Sequence, residues 1–172
     1  MDQLNRPDIE SFKAQDKTPI VILLDNVRSM HNVGSAFRTA DGFAIEKIIL
    51  CGITGTPPHR EIEKTALGAT NSVVWEHQSS TKDAVIQLKL QGYKVVAIEQ
   101  ATGSEALQDV SIITDEKYAF IFGNEVHGVS DEVMSEIDFC IEIPQLGTKH
   151  SLNVSVTIGI VLWHFVQKLA LL

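Results

Sequence analysis

The 172-residue chain holds only two cysteines, Cys51 and Cys140, which stand far apart and form no C-x-x-C pair. A zinc ribbon or a disulfide scaffold is therefore excluded. Proline is scarce at five residues, and there are no repeats or low-complexity tracts, which excludes a disordered or linker-rich polypeptide. No H-E-x-x-H or comparable ligand spacing occurs and the six histidines are scattered, so no metal is called for. The opening run Met1-Asp2-Gln3-Leu4-Asn5-Arg6-Pro7-Asp8 lacks the apolar core of a secretory signal, which makes a reduced, cytoplasmic protein the default. Residues 151–172 have Lys168 as their only formal charge, yet Ser155, Thr157 and His164 interrupt the apolar run. That run falls short of the roughly 20 residues a membrane span needs. A buried helix is expected instead, packed on the rest of the fold and on a second subunit.

What is present is ordinary globular composition, 44% apolar and 21% charged, in a mass of 18.9 kDa that suits one domain. The net charge of −8 argues at first against nucleic acid, but the charge is uneven. Residues 1–60 carry seven basic and seven acidic side chains, whereas residues 61–172 carry seven basic and fifteen acidic ones. All four arginines (Arg6, Arg28, Arg38, Arg60) fall in the neutral part. A small basic face on an acidic body is one reading and chance placement is the other.

Continuous apolar runs at 19–25, 47–51, 94–98 and 118–122 suit strands covered on both faces. Shorter strands are expected at 72–75 and 138–143. Helical stretches alternate with them: 33–43, 61–67 stopped by Gly68, 82–90 stopped by Gly92, and 130–137. A short helix near 5–13, capped by Asn5 with Pro7 in its first turn, precedes the first strand. The class is α/β with a mostly parallel sheet and helices on both faces. Residues 1–18 read as an N-terminal extension and 19–172 as the domain.

Such sheets bind ligands at the carboxyl ends of their strands. No G-x-G-x-x-G follows any strand, so a dinucleotide loop is unsupported. After the first strand, Asn32 reads as a helix N-cap and Arg38 follows six residues later. Helical side chains lean back toward the N-terminus, so Arg38 either returns its guanidinium to the loop mouth or is solvated on the surface. After the fourth long run comes Gly123-Asn124-Glu125-Val126-His127-Gly128, a turn-rich loop whose Glu125 must find a partner or water. The third loop, 144–150, leads into Ser151-Leu152-Asn153, where Ser151 reads as an N-cap.

Taken together, Asn32…Arg38, Phe122-Gly123-Asn124-Glu125-x-x-Gly128 and Ile143-Pro144…Gly147-Thr148-x-x-Ser151-Leu152-Asn153-Val154-Ser155 resemble the three signature motifs of the SpoU (TrmH-like) RNA ribose 2′-O-methyltransferases. The resemblance runs from about Ile20 to Val166. It implies a SPOUT α/β knot with a deep C-terminal trefoil, S-adenosylmethionine as methyl donor, and a homodimer whose arginine approaches the partner's cofactor. By position, Gly123, Ile143 and Leu152 would contact the cofactor, while Arg38, Asn32, Glu125, Ser151 and Asn153 would form the catalytic group. About eighteen residues precede the first strand, an arrangement that resembles tRNA-modifying members more than rRNA-modifying ones. A non-catalytic RNA-binding or interaction module that retains the fold and pocket is the alternative.

Overall fold

A computed structural model describes residues 7–149 and 151–169. Seven strands, β1 (Thr18–Asp25), β2 (Ile45–Cys51), β3 (Trp75–Gln78), β4 (Tyr93–Ile98), β5 (Glu105–Ala106), β6 (Lys117–Phe122) and β7 (Phe139–Glu142), form one sheet. Its order is β3-β2-β1-β6-β4-β7-β5. Every pairing between these strands is parallel. The helices are α1 (Ile9–Ala14), α2 (Met30–Gly42), α3 (Arg60–Ala66), α4 (Thr81–Leu90), α5 (Asp131–Met134) and α6 (Val154–Lys168).

The apolar runs become strands with two buried faces because successive side chains alternate across a sheet. Ile20, Ile22 and Leu24 of β1 join Phe120 and Phe122 of β6 in a core covered by α2, α3 and α6. Val21 and Leu23 join Ala119 and Ile121 on the opposite face, beneath α4 and α5. Phe165 of α6 sits edge-on to Phe120 with ring centroids 4.5 Å apart, which seats the last helix on the sheet. The charge-poor C-terminal segment is thus a helix packed on the core, as its sequence suggests.

Element boundaries differ from the sequence reading where side-chain capping decides them. Asp8 caps α1, accepting Ser11 N–H at 2.8 Å, and Pro7 lies outside the helix; the Asn5 cap falls outside the described residues. Ser29, not Asn32, caps α2, its hydroxyl accepting Asn32 N–H at 3.3 Å. Asn153, not Ser151, caps α6, accepting Ser155 N–H at 2.9 Å. The strand expected at 72–75 starts only at Trp75, because the amides of Ser72 and Val73 are spent on Ala69 O, closing the 3-10 turn at Ala69–Asn71. The helix expected at 130–137 is only α5, and the two-residue β5 carries too short a pattern to be read.

Because β1, β4, β6 and β7 run parallel, their carboxyl ends share one edge. The loops after Asp25, Ile98, Phe122 and Glu142 therefore meet there. Between β6 and β7 the chain passes from one side of β4 to the other, an order that accords with the knotted connection implied by the resemblance.

Candidate active site

The loop after β6 folds back on itself at a position only glycine fills. A Cβ on Gly123 would lie 2.2 Å from the Gly128 carbonyl carbon and 2.4 Å from Val129 N. The return is locked by paired bonds, Asn124 N–H to Gly128 O at 3.0 Å and Gly128 N–H to Asn124 O at 2.9 Å. Asn124 serves three neighbours with one side chain. Its Oδ1 accepts the amides of Val126 and His127, and its Nδ2 donates to Asn26 O at 2.7 Å. The loop is thereby tied to the end of β1.

Farther along, the buried Asp25 pins the same loop. Its carboxylate accepts the Thr81 hydroxyl at 2.5 Å, Asn26 Nδ2 at 2.8 Å and Ser130 N–H at 3.3 Å. Three donors compensate the desolvation of this charge.

So held, Glu125 faces the start of α2. Its two oxygens accept Arg28 N–H and Ser29 N–H, each at 3.0 Å, and Asn32 Nδ2 at 3.1 Å. Burial acts to raise its pKa, but the amides of Arg28, Glu125 itself and Ser29, with the Asn32 side chain, outweigh it and hold the carboxyl below its ordinary value. With Ser29 as the cap, the Asn32 side chain is released from capping. Its Oδ1 accepts Asn153 Nδ2 at 3.2 Å. Asn153 Oδ1 in turn accepts Ser155 N–H at 2.9 Å and the Ser155 hydroxyl at 2.6 Å. A continuous chain of bonds thus links Ser155, Asn153, Asn32 and Glu125 across three separate motifs.

Beside this chain lies a cavity of about 430 Å³, with Gly123, Glu125, Ile143, Ser151, Leu152 and Asn153 in its wall. Seven of the eight residues singled out in the sequence are therefore brought together: six in the wall and Asn32 one bond behind it. Arg38 is not. It is exposed on α2, without a hydrogen bond or ion pair among the described residues, and does not line the cavity. Six residues along a helix is a rotation of about 240°, which turns Arg38 away from Asn32, so the side chain's backward lean does not reach the loop mouth.

Sequence reasoning missed Asp25, Asn26, Asn124 and Ser155 as members of the site. The signals were the polar Asp-Asn pair ending an apolar strand, and the places of Asn124 and Ser155 inside the second and third motifs. Among the described residues, no group of three or more His, Cys, Asp or Glu is placed to hold a metal, and no helix is long and apolar enough to cross a membrane.

Residues 19–163 match the model of the SpoU rRNA Methylase family. The chain belongs to that family. The family's name is that of an RNA methylase, the class the three motifs imply. SpoU relatives include the 23S rRNA (guanosine-2'-O-)-methyltransferase RlmB of Vibrio parahaemolyticus, 33% identical over 168 residues that cover 96% of this chain and 66% of the relative. An uncharacterized tRNA/rRNA methyltransferase of Borreliella burgdorferi is 31% identical, covering 95% of this chain and 70% of its own length. Among solved SpoU-type structures, the AdoMet-bound rRNA methyltransferase of Sinorhizobium meliloti superposes with a TM-score of 0.81 at 28% identity, over 89% of this chain and 57% of that one. The TrmH/SpoU tRNA modifying enzyme of A. aeolicus gives a TM-score of 0.81 at 26% identity, over 93% and 79%. This chain spans about two thirds of the length of the curated relatives.

Proposed function

We propose that this chain transfers a methyl group from S-adenosylmethionine to a ribose 2′-hydroxyl of RNA, acting as a homodimer in the cytoplasm through a domain of residues 19–172 behind an extension of residues 1–18. The observation that carries the reading is the bonded chain Glu125–Asn32–Asn153–Ser155 standing beside the cavity. The cavity suits the methyl donor: Gly123 lets the loop turn back tightly along one side, and the wall mixes apolar Ile143 and Leu152 with polar Ser151 and Asn153. In this reading Gly123, Ile143 and Leu152 hold the cofactor.

S-adenosylmethionine, when bound, supplies a methyl group already activated on a sulfonium. What remains for the protein is to align the hydroxyl and manage its proton. Ser151 and Asn153 orient the hydroxyl, while Glu125 and Asn32 fix the α2 start against the loop at 123–130. A guanidinium stays protonated in proteins, so Arg38 holds the neighbouring phosphate and stabilises the developing alkoxide rather than removing the proton.

Arg38 does not reach the cavity of its own chain, and this supports a site completed by a second copy. The same helix layer offers a surface for that copy. Val156, Ile160 and Trp163 recur on one side of α6 and remain 50%, 37% and 51% exposed. A stripe of that kind is characteristic of an interaction surface.

The finer substrate reading is tRNA ahead of rRNA, although the relatives named above divide between the two. The deciding experiment is transfer of labelled methyl to unmodified tRNA and rRNA, followed by alkaline hydrolysis. A ribose 2′-O-methyl blocks cleavage at its own linkage, so the expected result is label in alkali-resistant dinucleotides of tRNA. Label in rRNA alone overturns the substrate preference. Label in bases overturns the ribose assignment, and cofactor binding without transfer to either RNA favours the non-catalytic alternative.

A further inference from the structure

Among the described residues lining the cavity, Glu99, Glu125 and Glu142 carry carboxylates and none is Lys, Arg or His. The three acids are not equivalent. Glu125 is occupied by the amides of Arg28 and Ser29 and by Asn32. Glu99 accepts Gln100 N–H at 3.0 Å and Val129 N–H at 3.3 Å. Glu142, at the end of β7, is half-buried and has no hydrogen bond or ion pair among the described residues. Lys149 is exposed and lines an adjoining depression with Pro144 and Leu146, outside the cavity itself.

A half-shielded carboxylate without a partner acts at longer range than one whose charge is spread over bonded amides. We propose that Glu142 makes the cavity selective for charge, so that it holds the cationic methyl donor more tightly than the demethylated product. This rests on the reading of the cavity as the S-adenosylmethionine site. The chemistry defines the difference to be sensed. As the C–O bond to the ribose forms and the C–S bond breaks, the bonding pair stays on sulfur and the hydroxyl proton passes to solvent water. S-adenosylhomocysteine, the product, is then a neutral thioether. Donor and product share their adenosine, ammonium and carboxylate groups, and differ in the methyl and the single positive charge. A site that reads this charge favours exchange of spent product for fresh donor after each turnover.

The test is calorimetric titration of the intact protein with S-adenosylmethionine and S-adenosylhomocysteine, in wild type and in Glu142→Gln, at low and high salt. Glu142 has no partner to lose, and glutamine conserves its shape. The expected result is a wild-type preference for the donor of about fivefold, shrinking at high salt and in the variant, as expected of a partly screened charge. The shrinkage must come from weaker donor binding with product binding unchanged. Two further probes of folding, the thermal midpoint and the far-ultraviolet circular dichroism, should match between the proteins. Equal binding of both ligands by wild type overturns the proposal and leaves the methyltransferase reading standing, as does a variant that weakens both ligands alike. Failure of wild type to bind either ligand sinks both.

Discussion

The two sides of the site are built to different degrees of completion. On the cavity side, the loop at 123–130 is held at almost every residue: by Asn26, Asp25 and Glu99, and through Glu125 by the α2 start. On the outer side, Arg38 and the apolar stripe of α6 have no such ties, and solvent reaches them. The difference teaches that a single chain fixes the wall of the cavity and leaves the outer side open. Preorganisation matters most where geometry must be kept between turnovers. An open outer side is what a site shared between two copies needs.

The comparison is tested most severely by Arg38→Ala. Losing a charge-stabilising donor typically costs about a hundredfold or more in rate, and that loss is expected in single-turnover methyl transfer, with donor affinity unchanged. Its decisive form is a mixing experiment with Gly123→Val, whose Cβ meets the backbone of Gly128 and Val129 and so breaks the loop that walls the pocket. Each variant alone is inactive. If Arg38 serves the partner's cavity, a heterodimer regains one complete site, and an equal mixture recovers about a quarter of the wild-type rate. No recovery in a mixture shown to exchange subunits places Arg38 in its own chain's site and breaks the contrast between closed and open sides.

A smaller effect is expected from Trp163→Glu. Trp163 packs on Phe43 with centroids 6.3 Å apart and presents half of its surface to solvent. A carboxylate there leaves the sheet-facing side of α6 intact but opposes burial against a second copy. On the proposed assembly, light scattering should show a dimer for wild type and a monomer for the variant, and the rate should fall about tenfold or more at dilute protein, recovering in part at high concentration. A variant that stays dimeric moves the interface elsewhere on the molecule.

How much of this was legible beforehand follows from the length of each signal. Buried parallel strands announce themselves as unbroken apolar runs, so β1, β2, β4 and β6 were readable, whereas β5 is two residues long and β3 is half-buried. Caps were harder, because Ser29 and Asn32, or Ser151 and Asn153, are equally good capping residues on paper. Which one caps depends on where backbone dihedrals turn helical, and that is set by tertiary packing. The error was informative: it is because Ser29 takes the cap that Asn32 is available to join Glu125 to Asn153. The eight site residues themselves came from motif resemblance, and no local pattern would have brought residues 32, 125 and 153 together. That Arg38 faces away from Asn32, by contrast, follows from the helix period, which turns it by about 240° over six residues.

The finest probe of the closed side is Glu125→Gln. An amide keeps the shape but replaces one accepting oxygen with a donor facing the amides of Arg28 and Ser29, so the loop shifts on α2 and the transfer rate falls about tenfold. The pH dependence separates this charge from mere shape. The carboxyl titrates lower in the folded protein than its ordinary value of 4.5, so the stability it contributes is fully present above that value. That stability is lost as the pH falls through the lowered folded value. The thermal midpoint of wild type should therefore exceed that of Glu125→Gln by a constant margin at neutral and mildly acidic pH, and the margin should narrow only below about 4.5. A margin that persists unchanged down to the acid limit assigns the loss to shape alone, and the amides of Arg28 and Ser29 then hold the loop without drawing on its charge.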